Sequence, residues 1–451
     1  MTAPSSAAID GAQLSLAWAI PFAGLLMSIA LAPLVASRFW HAHYGKVCAL
    51  WALAFALPFA ATFGLSATVH QIAHAILVDY LPFIAVLFAL FTIAGGIGLS
   101  GSFRATPARN TALLALGAAL ASVMGTTGAS MLLIRPLLTA NETRRHRAHA
   151  VVFFILIVGN VGGALSPLGD PPLFIGFLKG VDFFWPTRAL FTPTVGLVVV
   201  LLVTFYIVDT ALARRDVDAP ARDGNPLRLG LEGHVNFLLL AAVIGAVLLS
   251  GIWKPGIALD VLGTPIELQK ALRDVSLIAL ALASLALTPK DIRARNAFRW
   301  EPIVEVAKIF VGIFLTIIPV LAILAAGRNG ALGWLSQLLI RPDGSVDNSA
   351  LFWVTGTLSA FLDNAPTYLV FFNLAGGDAQ VLMGAQAVTL TSISLGAVYF
   401  GALTYIGNAP NFMIKAIAED RGVAMPSFFG YLGWAAVLML PLLLVVGAIM
   451  F

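Results

Sequence analysis

The sequence predicts an all-α polytopic membrane protein: about ten transmembrane helices plus two re-entrant hairpins, in two inverted-topology repeats that each contain one broken helix. Three observations lead there. The 451 residues are 59% hydrophobic and only 11% charged, with a mean hydropathy of +0.93, whereas soluble domains carry roughly 25% charged residues. Two polar, Gly/Pro-rich interruptions of apolar segments, Gly163–Ile175 and Gly401–Met413, are identical at six of thirteen positions and lie 238 residues apart. The Lys/Arg-rich connections all fall on one side once ten spans and two returning hairpins are counted.

A span needs ~20 apolar residues. In order, spans fall near 13–36, 46–66, 75–98, 149–184, 188–212, 235–252, 272–288, 306–326, 383–420 and 428–450. The fourth and ninth are the broken ones. Ser166-Pro-Leu-Gly169 unwinds the fourth and Asp170-Pro171-Pro172 restarts it, because Asp is a good N-cap and Pro suits the first helical turn. Stretches 109–140 and 349–376 each read as two short arms around a polar tip, Gly125-Thr-Thr-Gly128 and Asp363-Asn-Ala-Pro366, and so as hairpins. The same shift of 238 lays Leu120–Pro136 over Leu358–Leu374, tip on tip. Two motifs sharing one offset indicate a repeat, dividing the chain into 1–230, with hairpin 109–140 and broken helix 149–184, and 231–451, with hairpin 349–376 and broken helix 383–420.

The basic connections are 37–46 (Arg38, Lys46), 103–109 (Arg104, Arg109), 143–147 (Arg144, Arg145, Arg147), 213–228 (Arg214, Arg215, Arg222, Arg228) and 289–299 (Lys290, Arg293, Arg295, Arg299). The positive-inside rule makes them cytoplasmic in a plasma (inner) membrane. Both termini and the 253–270 loop are then outside, and the hairpins dip from opposite faces. The first ten residues lack Lys and Arg, so no cleavable signal peptide is expected. Cys48 is alone, which excludes an internal disulfide. No basic and aromatic interleaving suggests nucleic acid; small ions and the lipid bilayer are the expected partners.

A broken helix leaves backbone groups unpaired, tolerated in hydrocarbon only where they are buried in protein or line a cavity. Paired breaks in corresponding halves point to the substrate and ion site of a secondary transporter. Intramembrane carboxylates are costly and usually functional, so Asp170 is expected to hold a cation with Ser166 and freed carbonyls; the plainer role is capping. In the second break Thr404, Gly407, Asn408 and Asn411 replace Ser166, Gly169, Asp170 and Leu173. Asn408 can cap but cannot titrate. Asp363 sits on the opposing tip, where the first repeat has Gly125; Asn364 and Pro366 also suit a helix start. All-oxygen company suits a hard cation such as Na⁺. No cofactor is expected beyond Na⁺ and H⁺ as transported or coupling ions. His70 and His74 read as an interfacial helix, Arg135, Lys308 and Lys415 as snorkelling cations, Asp79 as the start of the third span, and Glu305 with Lys308 as a surface i,i+3 pair.

These residues resemble the ion transporter superfamily, which includes NhaD-type sodium/proton antiporters, citrate transporters, arsenite permeases and dicarboxylate/sodium symporters. Ser166-Pro-Leu-Gly-Asp170 resembles the antiporters' Ser-Pro-Ile-Gly-Asp element, and Ser359-Ala-Phe-Leu-Asp-Asn-Ala-Pro366 their Ser-Ala-x-x-Asp-Asn-x-Pro tip. Gly407-Asn-Ala-Pro-Asn411 is similar to a loop of several branches. The resemblance implies two cation sites flanking a substrate site: Thr126, Thr127, Ser166, Gly169 and Asp170 in one, Asp363, Asn364, Thr404, Gly407 and Asn408 in the other. It also implies a homodimer, with 1–103 and 231–326 as scaffold and the rest as a moving transport part. Gly125-Thr126-Thr127 lacks the Asn of the symporters' Ser-Asn-Thr tip, a departure from that branch's dicarboxylate-binding pattern.

Two functions follow. Removing a carboxyl from water favours its protonated form, so proton and Na⁺ can compete for one Asp, and alternating access then gives sodium/proton antiport. The alternative is a cation-coupled organic-anion (citrate-like) transporter, using the half-helix starts at Pro172, Pro366 and Pro410 as positive ends. An intramembrane aspartyl protease is disfavoured by Pro-Leu-Gly-Asp170 in place of Gly-x-Gly-Asp, and by Asp79-Tyr80 in place of Tyr-Asp. A channel is disfavoured because sites between inverted repeats suit alternating access. Single cysteines placed in 103–109 and in 253–270 should react with an impermeant thiol reagent from opposite faces; labelling of both from one face contradicts the loop-charge topology.

Overall fold

Apolar stretches become helices because a helix meets its own backbone hydrogen bonds, which hydrocarbon cannot. The computed structural model describes residues 10–100, 105–215, 230–339, 341 and 345–451. Arg104, Arg222, Arg228 and the first nine residues of the basic-poor N-terminus lie outside them. The first part of the chain forms α1 (Ile20–Val35), α2 (Ser37–Phe63), α3 (Leu65–His74), a π-helical turn (Ala75–Tyr80), α4 (Leu81–Ala94), α5 (Pro107–Met124), α6 (Thr126–Ala140), α7 (Ala148–Ile157), α8 (Pro171–Leu178) and α9 (Trp185–Ala213). The second forms α10 (Val235–Ile252), α11 (Leu268–Leu287), α12 (Lys290–Arg295), α13 (Glu301–Thr316), α14 (Ile318–Ala325), α15 (Gly333–Leu338), α16 (Asn348–Phe361), α17 (Asn364–Leu374), α18 (Ala379–Met383), α19 (Ala387–Phe400), α20 (Ala409–Asp420) and α21 (Phe428–Met450). The protein is an all-α polytopic membrane protein.

Among the described residues seven helical stretches are long and apolar enough to cross a membrane, and an eighth if α13 and α14, bent by 43°, count as one. The other two expected spans fail on composition or length. Helix α11 carries Lys270, Arg273 and Asp274 in its first two turns, and the apolar arm Ala387–Leu403 before the second break is short. Boundaries moved too. Helix α2 begins at Ser37, so Arg38 and Lys46 lie on a helix and not in a loop; its aromatic and His residues are polar enough to suggest a connection yet do not stop a helix. Helix α3 runs from Leu65 into the third span, placing His70 and His74 on it. Much of the 289–299 connection is α12.

Two small ribbons complete the fold. β1 (Gly98–Ser100) pairs antiparallel with β2 (Gly230–Glu232), Leu99 opposite Leu231; the expected 230/231 boundary falls inside β2. β3 (Ala258–Val261) and β4 (Thr264–Glu267) form a hairpin in the 253–270 loop.

The hairpins are α5–α6 and α16–α17, and their arms pack differently. The first arms stay near the break of their own half: α5 on the 3₁₀ turn Val161–Leu165, and α16 on α19 and the 3₁₀ turn Gly401–Leu403. Small residues allow this close approach: a Cβ on Gly396 would lie 2.8 Å from the Phe352 carbonyl oxygen. The second arms cross over, α6 against α20 and α17 against α8. At the base of the first hairpin, fully buried Asp209 accepts from Arg144 (2.5 Å), His149 (2.8 Å) and Asn110 (3.0 Å). A buried carboxylate needs such partners, and these tie α5 and α7 to α9.

Candidate functional site

Both breaks follow the same backbone route at positions 238 apart. A 3₁₀ turn (Val161–Leu165; Gly401–Leu403) ends at an extended hydroxyl residue, Ser166 or Thr404, and a helix restarts after an extended Asp170 or Asn408. The Ser166 hydroxyl donates to the Ser122 carbonyl on α5 and accepts the Leu168 N–H at 3.1 Å. The Thr404 hydroxyl donates to the Ala360 carbonyl on α16 at 2.5 Å and accepts the Ile406 N–H at 3.2 Å. Ser166 and Thr404, expected as cation ligands, thus fasten each break to the first arm of its own hairpin. Gly169 and Gly407 let the unwound strand cross its own 3₁₀ turn. A Cβ on Gly169 would lie 2.8 Å from the Gly163 carbonyl carbon, and one on Gly407 2.7 Å from the Gly401 carbonyl oxygen.

The tips differ in how they start their second arms. Gly125 adopts φ +82°, a conformation that favours glycine, and the following Thr126 N–H donates to the Gly169 carbonyl at 2.9 Å. Asp363 caps α17, its carboxylate accepting the Ala365 N–H at 3.1 Å. The capping role weighed for Asp363 is therefore the contact its carboxylate makes. For Asp170 and Asn408 it is not: neither side chain caps the helix it precedes.

Asp170 turns instead to both halves of the chain. Fully buried, it accepts from the Thr126 hydroxyl (3.3 Å) and the Asn408 amide (2.9 Å) on Oδ1, and from the Asn364 amide (2.7 Å) on Oδ2. The two residue sets expected to form separate sites are joined at this carboxylate. Among the described residues no Lys or Arg pairs with it. The Asn364 Oδ1 atom is buried and has no donor.

Sequence reasoning missed Asn160. Its amide donates to Asn411 Oδ1 (2.7 Å) and the Ile155 carbonyl (2.8 Å), and its Oδ1 accepts from Asn408 (3.1 Å). The available signal was a lone amide in the apolar run before the first break. Asn411 donates to the Gly401 and Thr404 carbonyls, both at 2.8 Å, satisfying acceptors that the break exposes.

A cavity of about 520 Å³ opens on this cluster, lined by Thr126, Thr127, Gly169, Asp170, Asp363 and Asn408. Four helices start at it, α6, α8, α17 and α20. Arg135, expected to snorkel, also lines it. The other outlying residues find local partners: Lys179 pairs with Asp79 at 2.7 Å, Lys415 with Glu419 at 2.7 Å, and His70 Nε2 lies 3.2 Å from the Gly263 carbonyl oxygen. Lys308 stands over the Tyr44 ring at 5.4 Å and does not pair with Glu305. Chemically, the cluster offers oxygen atoms and positive helix ends side by side, fit for a cation and an anion together.

A family model described as "Putative citrate transport" matches residues 11–451. An uncharacterized transporter of Mycobacterium bovis and one of Mycobacterium tuberculosis are each 25% identical over 339 residues, covering 71% of this chain and 71% of the relative. Gly169→Ala and Gly407→Ala should each cost about 1–3 kcal/mol by overpacking, read as earlier unfolding of the purified protein in detergent. Gly196→Ala, whose methyl group meets nothing within 4 Å, should not destabilise. Equal stability of all three contradicts the crossing described for the breaks.

Proposed function

The chain belongs to this citrate transport family, hence is a membrane transporter and not an enzyme, and from that premise we propose that it carries a citrate-like organic anion across the plasma (inner) membrane, coupled to Na⁺ or H⁺. The observation that carries the reading is the union, in one cavity, of an anion-favouring and a cation-favouring set. The starts of α6, α8, α17 and α20 meet there, and helix N-termini bear partial positive charge that attracts carboxylates. Beside them Asp170 lines the cavity and, with Asn364 bonded to it and the Asn364 Oδ1 left without a donor, supplies oxygen to a hard cation. The cavity volume falls in the range of small-molecule sites.

In this reading Asp170 and Asn364 hold the coupling ion, while Thr126, Thr127 and Asn408 border ion and anion. Ser166, Gly169, Thr404 and Gly407 keep the unwound strands in place. Asp363 sets the start of α17 and faces the cavity. Transport proceeds by alternating access, with scaffold segments 1–103 and 231–326 and the remaining parts of halves 1–230 and 231–451 moving between faces, in a homodimer. Sodium/proton antiport, as in the NhaD-type branch, is the second reading. It is favoured by the absence of a cationic partner for Asp170 among the described residues, since proton and Na⁺ can then exchange at one carboxylate.

Proteoliposomes separate the two. Labelled citrate should accumulate only with an inward Na⁺ or H⁺ gradient. Asp170→Asn should reduce uptake at least tenfold, the scale of losing a charge-assisted contact, while reaching the membrane normally. Alkalinisation of an acid-loaded lumen on adding external Na⁺, with no citrate uptake, would favour antiport and overturn the anion reading.

A further inference from the structure

An unpartnered basic group lies in the same cavity. Arg135 is two turns along α6 from Thr127, and Thr127, Met131 and Arg135, four residues apart, all line it. The Arg135 Nη1 atom is buried without a hydrogen-bond partner, and no carboxylate is paired with it among the described residues. Asp420, Glu301 and Glu305 line the cavity too; Asp420 acts on it through space, and none of the three forms an ion pair with it. Arg135 as a whole is half-buried, but a buried donor left without an acceptor is costly, so its Nη1 is open to a partner that arrives in the cavity.

Geometry says which partner. The tip and Arg135 are separated by eight residues, about 12 Å of helix axis, and helical side chains lean back toward the N-terminus, shortening that reach. A second small pocket, about 170 Å³, shares Met131 and Arg135 and is also lined by Arg421 and Arg295. Arg295 is neutralised by Glu232 and Asp291, and exposed Arg299 lines the larger cavity. Arg135 thus stands where the two pockets meet. A cation alone as cargo would be repelled by it.

We infer that Arg135 selects substrates carrying more than one carboxylate: its guanidinium takes one carboxylate as a fork, while another end of the same acid sits at the helix starts around Asp170. This deepens the organic-anion reading and rests on it. Arginine suits the role because its planar donors match both carboxylate oxygens at once. An acid with a single carboxylate engages one end only.

The test uses the full chain in proteoliposomes, with citrate as probe and succinate and butyrate as competitors. In Arg135→Gln the citrate KM should rise tenfold or more with maximal rate little changed, and succinate should lose its advantage over butyrate as a competitor. Arg135→Lys should regain part of both. Where the Gln variant transports too little to measure, the rise in unfolding temperature caused by citrate reads binding directly; it should shrink in Gln and return in part in Lys. An unchanged citrate KM and an unchanged competitor ranking in the Gln variant, or an unchanged citrate-induced stabilisation, overturn the assignment. If the wild-type protein itself neither transports citrate nor is stabilised by it, succinate or other polycarboxylates, the organic-anion reading fails, and this assignment with it.

Discussion

A helix interrupted inside hydrocarbon strands donors and acceptors that lipid cannot satisfy, each at a cost of several kcal/mol. Everything near the site answers that constraint. Each break is fastened by its own hydroxyl residue to the first arm of the neighbouring hairpin, Ser166 to Ser122 and Thr404 to Ala360. Remaining carbonyls are met from other elements: Gly169 by the Thr126 N–H, Leu165 by Thr187, Ala402 by Tyr431, and Gly401 by Asn411. The hairpins supply part of this and helices α9, α20 and α21 the rest.

Cross-packing of the second arms then determines what meets at the centre. With α17 on α8 and α6 on α20, each tip faces the break of the other half as well as its own. One carboxylate at that meeting point, Asp170, can collect amides from α17 and the second break and a hydroxyl from α6. Asn408, 238 positions further on, is neutral and acts as donor, so one acid and not two stands where the two breaks meet. Had both positions been Asp, two carboxylates would face each other where Asn408 now donates to Asp170 at 2.9 Å.

Much of this could be read from the chain alone. Gly/Pro-rich interruptions shared at one offset located both breaks, and the structure starts α6 and α17 at Thr126 and Asn364, and α8 and α20 at Pro171 and Ala409. What the sequence could not supply was long-range partnering. Asp170 resembled an N-cap because Asp before Pro-Pro caps locally; only the opposing tip shows where its carboxylate turns. Ser166 and Thr404 read as ion ligands because hydroxyls beside an unwound strand suit that role; the sequence could not show that they also bond carbonyls 44 residues upstream. Arg135 resembled a snorkelling residue because it lies near a helix end, and its cavity becomes visible only when α1, α4 and α13 are in place. Composition also overstated the connection before α2, since nothing in 37–46 stops a helix.

The most direct test of the central arrangement is a double-mutant cycle on unfolding stability of the purified protein, using Asp170→Ala, Asn408→Ala and the double variant. Residues in one hydrogen-bonded network couple by about 0.5–3 kcal/mol, and a coupling in that range is the expected result. Additive effects, with coupling near zero, would contradict the meeting of both breaks at Asp170.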